Sequence, residues 1–261
     1  MNNTHRFVKP SLLLLALSLI MFSCVPLKKI KYLQTAEGAD TVNVFRNVAP
    51  EYRLQSGDYL YIRIFTLDEK SNTLFNSVSG SAYSGGSYTD QYTYLTSYMV
   101  NDTGFINFPV VGRLKAAGFT AGEMEQQLHD KLSEYIKEAT VIVKLVNYKI
   151  SMLGEVGNPG QISVNRDRIS IFEAIAMAGD LNTFANRKKV QIIRQENQQT
   201  KVVTFDLTRK EILNSEFYYL KPNDIVYVEP LKGKQFAFET FPYSLIYSTI
   251  SMAILIVTFF K

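Results

Sequence analysis

The sequence is short of the residues from which reactive centres are usually assembled. Among its 261 residues there is 1 cysteine, Cys24, and there are 2 histidines, His5 and His129. With no second cysteine, an internal disulfide is excluded and the fold has to rest on core packing. With no cysteine pair, and His5 in the N-terminal segment, none of the usual zinc ligand sets is available. His129 falls beside Leu128, off the apolar stripe of its helix, which is the position of a surface histidine and not of a general base. A phosphate loop is missing too. "GEVGNPG" sets glycines at 154, 157 and 160, but Gln161 and Ile162 follow where a Lys-Ser/Thr pair would have to stand.

Excess charge of one sign is equally scarce. Lys+Arg 28 against Asp+Glu 24 gives a net charge of +4, to which Arg6 and Lys9 of the N-terminal segment contribute. The remaining basic residues are scattered apart from "LKKIK" and "RKK", so no nucleic-acid surface is expected. Nothing in the chain is spaced as a nucleophile, base or metal cluster. The chain is therefore read as a non-enzyme, with no catalytic residue, no metal and no cofactor.

Hydrophobic residues make up 46% and charged residues 20%, the balance of a globular protein. Apolar runs stand at both ends. Residues 1–23 read as a signal peptide, with Arg6 and Lys9 before the h-region "LLLLALSLIMF". "MFSC" follows, and its Ser23-Cys24 step resembles the lipobox of bacterial lipoproteins, although Met21 and Phe22 depart from the usual letters. The resemblance implies a covalent lipid on Cys24, held in outer-membrane lipid. An ordinary buried cysteine beside an uncleaved anchor is the alternative. Several acyl chains would exceed the threshold for merely reversible binding.

Residues 24–50 read as a lipid-anchored tether without a clear period. A first domain is expected over 51–147. "YRLQSGDYLYIRIF" (52–65) puts a turn at Gly57-Asp58 before alternation, with Leu60, Ile62 and Ile64 on one face and Tyr61, Arg63 and Phe65 on the other. Residues 68–91 are rich in Ser, Gly, Asn and Tyr and are predicted to be a mobile insertion. Tyr83, Tyr88, Tyr92, Tyr94 and Tyr98 crowd this stretch. Either they stack on sugar rings, or Tyr92, Tyr94 and Tyr98 share one face of a strand over 91–100. A hairpin-rich stretch follows over 100–120. "TAGE" (120–123) opens a helix carrying Met124, Leu128, Leu132, Tyr135 and Ile136 along one stripe, and "ATVIVKLV" (139–146) is a strand.

A second domain is expected over 148–230, with a turn at Gly154, Gly157, Pro159 and Gly160, a helix opened by "SIFE" (170–173) and ended by Gly179, and two strands around "ENQQ". "LQSGDYLYI" (54–62) and "LKPNDIVYV" (220–228) share Leu, a turn, Asp and a strand with Tyr at one offset, which points to common turn chemistry. Residues 231–240 form a linker, and 241–260 are predicted to be a transmembrane helix.

These stretches resemble the outer-membrane polysaccharide export proteins of the Wza type. "YRLQSGDYLYIRIF" is similar to the opening motif of that family's export domain. "DTGFINFPVVGRLKAAGFT" resembles its continuation through Gly104, Ile106, Pro109, Gly112 and Gly118. "GEVGNPGQISV" and "ISIFEAIAMAGDLNTFANRKKVQIIR" resemble the SLBB, or soluble-ligand-binding, domain. The resemblance implies an α+β chain: a small strand-rich export domain, a β-grasp-like SLBB domain and a C-terminal transmembrane helix. One SLBB module stands where larger relatives carry more, and the 68–91 insertion has no counterpart. It implies an octamer-like homo-oligomeric ring in the outer membrane, most of each chain in the periplasm, a polysaccharide cargo and an inner-membrane co-polymerase partner. The alternatives are an inner-membrane chain-length regulator and a monomeric glycan-binding lipoprotein.

The tail "PYSLIYSTISMAILIVTFFK" has no charge before Lys261. Wound as a helix, it gathers Ser244, Ser248, Ser251 and Thr258 into one sector around Leu255, with Ile246, Ile250, Ala253, Val257 and Phe260 opposite. The four hydroxyl residues are pore-lining candidates if copies form a barrel. Otherwise they line helix–helix contacts or bond their own backbone.

Overall fold

The computed structural model describes residues 31–34, 44–45, 47, 49–76, 94–136, 138–196, 199–232, 234 and 243–259. The expected signal peptide, Cys24 and residues 77–91 of the insertion lie outside this set.

Leu60, Ile62 and Ile64 alternate with more exposed neighbours, and strand β1 (Tyr59–Thr66) forms by burying them. It pairs antiparallel with β2 (Tyr98–Met99) on one side and β5 (Ala139–Leu145) on the other, in the order β2-β1-β5. A hairpin of β3 (Phe105–Phe108) and β4 (Gly112–Lys115) stands beside them, turning at Pro109–Val111. Counted among the helices described, α2 (Ala121–Leu132) opens on the expected capping box. Thr120 accepts from the Glu123 amide at 3.1 Å, and Glu123 accepts from the Thr120 amide at 2.8 Å. Met124, Leu128 and Leu132 complete the core, but the helix stops at Leu132 and Tyr135 is exposed, so the stripe is shorter than predicted.

Two further readings need correction. Residues 69–75 are not part of a mobile loop but form helix α1 (Glu69–Phe75), capped by Asp68 and anchored by buried Phe75. β2 pairs with the start of β1, and among the described residues no strand flanks the backbone of Ile64 and Thr66 on that edge. Asn76 and Asn72 of the α1 segment take that place. Asn76 accepts from the Ile64 amide and donates to its carbonyl, and Asn72 does the same for Thr66, at 2.8–3.0 Å. Tyr94 and Tyr98 do not share a strand face either. Tyr92 lies outside the described residues; residues 94–96 make a helical turn, and Tyr98 and Met99 form the short β2.

The second half is a five-stranded sheet in the order β10-β9-β12-β6-β7. Its strands are β6 (Lys149–Gly154), β7 (Gly160–Ser163), β9 (Ala185–Glu196), β10 (Gln199–Phe205) and β12 (Ile225–Pro230). β12 runs parallel to β6, and the other pairs are antiparallel. A short ladder of β8 (Ile169–Ser170) and β11 (Tyr219–Leu220) leads into helix α3 (Ile171–Met177), whose Ser170–Glu173 capping box is also formed. Ile171, Ala174 and Ile175 pack on Ile150, Met152, Val190, Ile192, Val226 and Val228. This core is separate from the cluster of the first half.

Residues 31–34 lie against the second half. The amides of Leu33 and Gln34 donate to the carbonyls of Leu207 and Thr208, and the Tyr32 phenol donates to Asp180 at 2.6 Å.

At the other end is α4 (Tyr243–Phe259), 17 residues long. Its described side chains are all exposed, including Tyr247, Leu255 and Phe259 at 68%, 68% and 85%. At 1.5 Å per residue it reaches about 26 Å, short of a ~30 Å hydrocarbon core. No helix among the described residues is long and apolar enough to cross a membrane.

Candidate functional site

The two turns that echo each other in sequence face the same cleft. It measures about 330 Å³ and is walled by Gln55–Asp58 of the first half and by Arg194–Glu196 and Lys221–Asn223 of the second. Both turns have the same construction. Asp58 is 3% exposed and accepts from the Gln55 amide three residues back, and Asp224, 1% exposed, does so from Lys221 at 2.7 Å. Gly57 and Asn223 precede them at φ of +88° and +66°. In each turn the residue before the aspartate donates to a neighbouring segment, and the aspartate carbonyl accepts from it. The partner is Val100 in the first case, and Lys149 and Ser151 in the second.

The side-chain partners differ, and so does the electrostatics. Asp224 is gripped by Arg194 at 2.6 and 2.9 Å, a forked ion pair with both groups almost fully buried. Among the described residues, the side chain bonded to Asp58 is the neutral Tyr52 phenol, at 3.0 and 3.1 Å. Burial therefore pushes the Asp58 carboxyl above its ordinary value, against the lowering by Gln55 and Tyr52. The Tyr52 phenol is pushed up as well, first by burial and then by Asp58. At the cleft rim, bonds from Lys221 and then Lys201 push Glu196 down to about 2. Asn147, at the end of the first half, ties down the Gly57 turn, accepting from the Tyr59 amide and donating to the Gly57 carbonyl at 3.0 Å.

The Gly154, Gly157, Pro159 and Gly160 turn lies elsewhere, between the end of β6 and the end of α3. A Cβ on Gly154 would stand 2.1 Å from the Val228 carbonyl oxygen, at a φ of +86°. The Gly157 and Asn158 amides donate to Asp180 and Ala178. On α4, Ser244, Ser248, Ser251 and Thr258 are exposed. Ser248 bonds back to the Leu245 carbonyl at 2.9 Å and Thr258 to Ile254 and Leu255, and Thr249, outside the sector, does likewise to Ile246. The residues singled out in the sequence thus fall into three separate places. Sequence reasoning named Asp58 but missed Tyr52, Asn147 and the Arg194–Asp224 pair. The repeated Asp at one offset was the signal for the second turn.

What these sites share is positioning: buried pairs, docked turns and a helix whose described side chains are exposed. Among the described residues no group of His, Cys, Asp and Glu could hold a metal ion. The pattern of the polysaccharide biosynthesis/export proteins matches residues 46–146, and that of the SLBB domain matches 148–228. The chain is similar to the EPS I polysaccharide export outer membrane protein EpsA of Ralstonia solanacearum, at 27% identity over 198 residues. It is also 27% identical over 197 residues to the EpsA of Ralstonia nicotianae. These alignments cover 74% of the chain but 52% and 51% of the relatives, so the chain spans about half the length of the curated relatives it matches. The two matched domains thus follow one another along this chain, the succession implied by its resemblance to the Wza-type polysaccharide export proteins.

Proposed function

We propose that this chain is a subunit of an outer-membrane conduit that passes a polysaccharide to the cell surface. The observation that carries the reading is the export–SLBB pair followed by a helix whose described apolar side chains are exposed and belong to neither core. Such a surface calls for lipid or further copies of itself. In this reading Cys24 carries lipid, the two domains stand in the periplasm, and copies assemble as a homo-oligomeric ring. Their α4 helices form a barrel across the membrane. A helix of 17 residues is somewhat short for that task. Short spans are accommodated by local thinning and by oligomerisation, and bacterial outer membranes are thinner than average. The hydroxyls of Ser248 and Thr258 are satisfied within the helix, so a wet lumen and a dry helix contact are both compatible with them. An inner-membrane co-polymerase coordinates synthesis with passage.

The test is cysteine scanning of α4 in the assembled, detergent-extracted protein. Aqueous thiol reagents should label cysteines at Ser248 and Ser251 and spare Ile250. Labelling at Ile250 alone would overturn the barrel. Export itself is tested by clean deletion, which should abolish surface polysaccharide.

A further inference from the structure

The outward face of the β2-β1-β5 sheet is left uncovered by the first core. Directly opposed residues of an antiparallel pair point to the same side. Tyr61 opposes Lys144, Arg63 opposes Ile142, Phe65 opposes Thr140, and Tyr59 opposes Met99. Phe65 and Met99 are 45% and 50% exposed, and Tyr94, at 62%, lays its ring 5.6 Å from that of Tyr59. Arg63 is held flat along the strand, its guanidinium 5.1 Å over the Phe65 ring and 3.4 Å from the Tyr61 hydroxyl. Lys144 stands beside Tyr61, with Asp167 of the second half at 3.7 Å on its border. The outward positions of the three strands bear cations and aromatic rings and no carboxylate. The same combination recurs on the β3–β4 hairpin, where Arg113 and Lys115 lie 4.0 and 4.9 Å from Phe105.

We infer that this face is a contact surface for an anionic glycan, one whose sugars carry carboxylates. The inference rests on the export reading for the class of ligand. The C–H faces of sugar rings carry partial positive charge and suit the negative faces of Tyr59, Tyr61, Phe65 and Tyr94. Arg63, preset by Phe65 and Tyr61, offers its remaining N–H groups to a uronate in a fixed fork. A flat platform of alternating side chains provides weak successive contacts, as suits a chain that must slide. A second copy of this sheet fits worse, since the cations of both faces would be brought together.

The test uses the full chain in detergent with two probes, hexameric oligogalacturonate and neutral cellohexaose, followed by titration calorimetry. The paired variant Arg63→Gln, Lys144→Gln should bind the uronate oligomer about tenfold more weakly, the scale of lost charge-assisted hydrogen bonds, and cellohexaose unchanged. Phe65→Ala with Tyr61→Ala should weaken both. These side chains point outward, and thermal melts establish that each variant is folded. Failure of the wild-type chain to bind either probe overturns the inference. So does unchanged binding in the folded charge variant, or a change in particle size that identifies the face as a contact between copies. Complementation separates the two readings. Surface polysaccharide that survives deletion counts against export, whereas charge and aromatic variants that restore full export to a deletion strain count against the face.

Discussion

At the scale of single residues, Asp58 and Glu196 make opposite demands on pH. Asp58 is held above its ordinary carboxylate value, so the folded chain keeps that proton to higher pH than the unfolded chain does. Its contribution is full below the ordinary value and is lost as pH rises through the raised one. Asp58→Asn should remove this dependence, so that its melting temperature no longer carries the fall that begins above the ordinary carboxylate value. Asp58→Ala leaves the Gln55 amide and the Tyr52 phenol without their acceptor and should cost about 2 kcal/mol in denaturant melts. Glu196 runs the other way. Its stabilisation stands above its ordinary value of 4.5 and is lost as pH falls toward about 2, so Glu196→Gln should lower the melting temperature at neutral pH and converge with the wild-type chain in acid. The Arg194–Asp224 pair is the more costly one to break. Arg194→Ala strands a buried carboxylate and should destabilise by about 3–5 kcal/mol, visible as a lower denaturation midpoint. Gly154→Ala allows no such graded outcome, because a methyl group at that site runs into the Val228 carbonyl of β12. Poor recovery of folded protein is expected.

At the scale of elements, what could be read from the sequence was what is encoded locally. β1 announced itself by alternation, α2 and α3 by capping boxes that both proved to be formed, and the β3–β4 hairpin by Pro109 and Gly112. Helix α1 was hidden because its support is not local. In a Ser- and Asn-rich stretch, Asn72 and Asn76 looked like loop residues. They are instead the side chains that close the edge of β1, 6 and 12 residues away. Asn76→Ala should therefore cost about 1–2 kcal/mol and raise hydrogen exchange at Ile64, which an ordinary surface asparagine would not do. The tyrosine pattern misled for a related reason: a spacing of two does not make a strand where the chain takes a helical turn at 94–96. The cleft was half legible. Both aspartates stood in a visible echo, but the phenol of Tyr52 and the guanidinium of Arg194 arrive from other strands or segments.

At the scale of the whole molecule, residues 31–34 before the two domains and Leu231 and Lys234 after them converge on one corner of the second half. Tyr32 reaches Asp180, packs edge-on against Phe172 and lies under Arg187. On the exit side, the Leu231 amide donates to Phe184 and Lys234 meets Glu155. Tyr32→Phe, which keeps the ring and loses the bond, should loosen residues 31–34 in hydrogen exchange and leave the global melt within about 1 kcal/mol. Tyr32→Ala should release them altogether.

That convergence sets the route of mechanical load. A pull between the segment before Tyr32 and the helix after Lys234 is carried through the 180–187 loop and the base of β12, and it passes by the first half. The β2-β1-β5 sheet would thus stay unstrained while the α4 end of the molecule bears tension, free to hold its outward face steady.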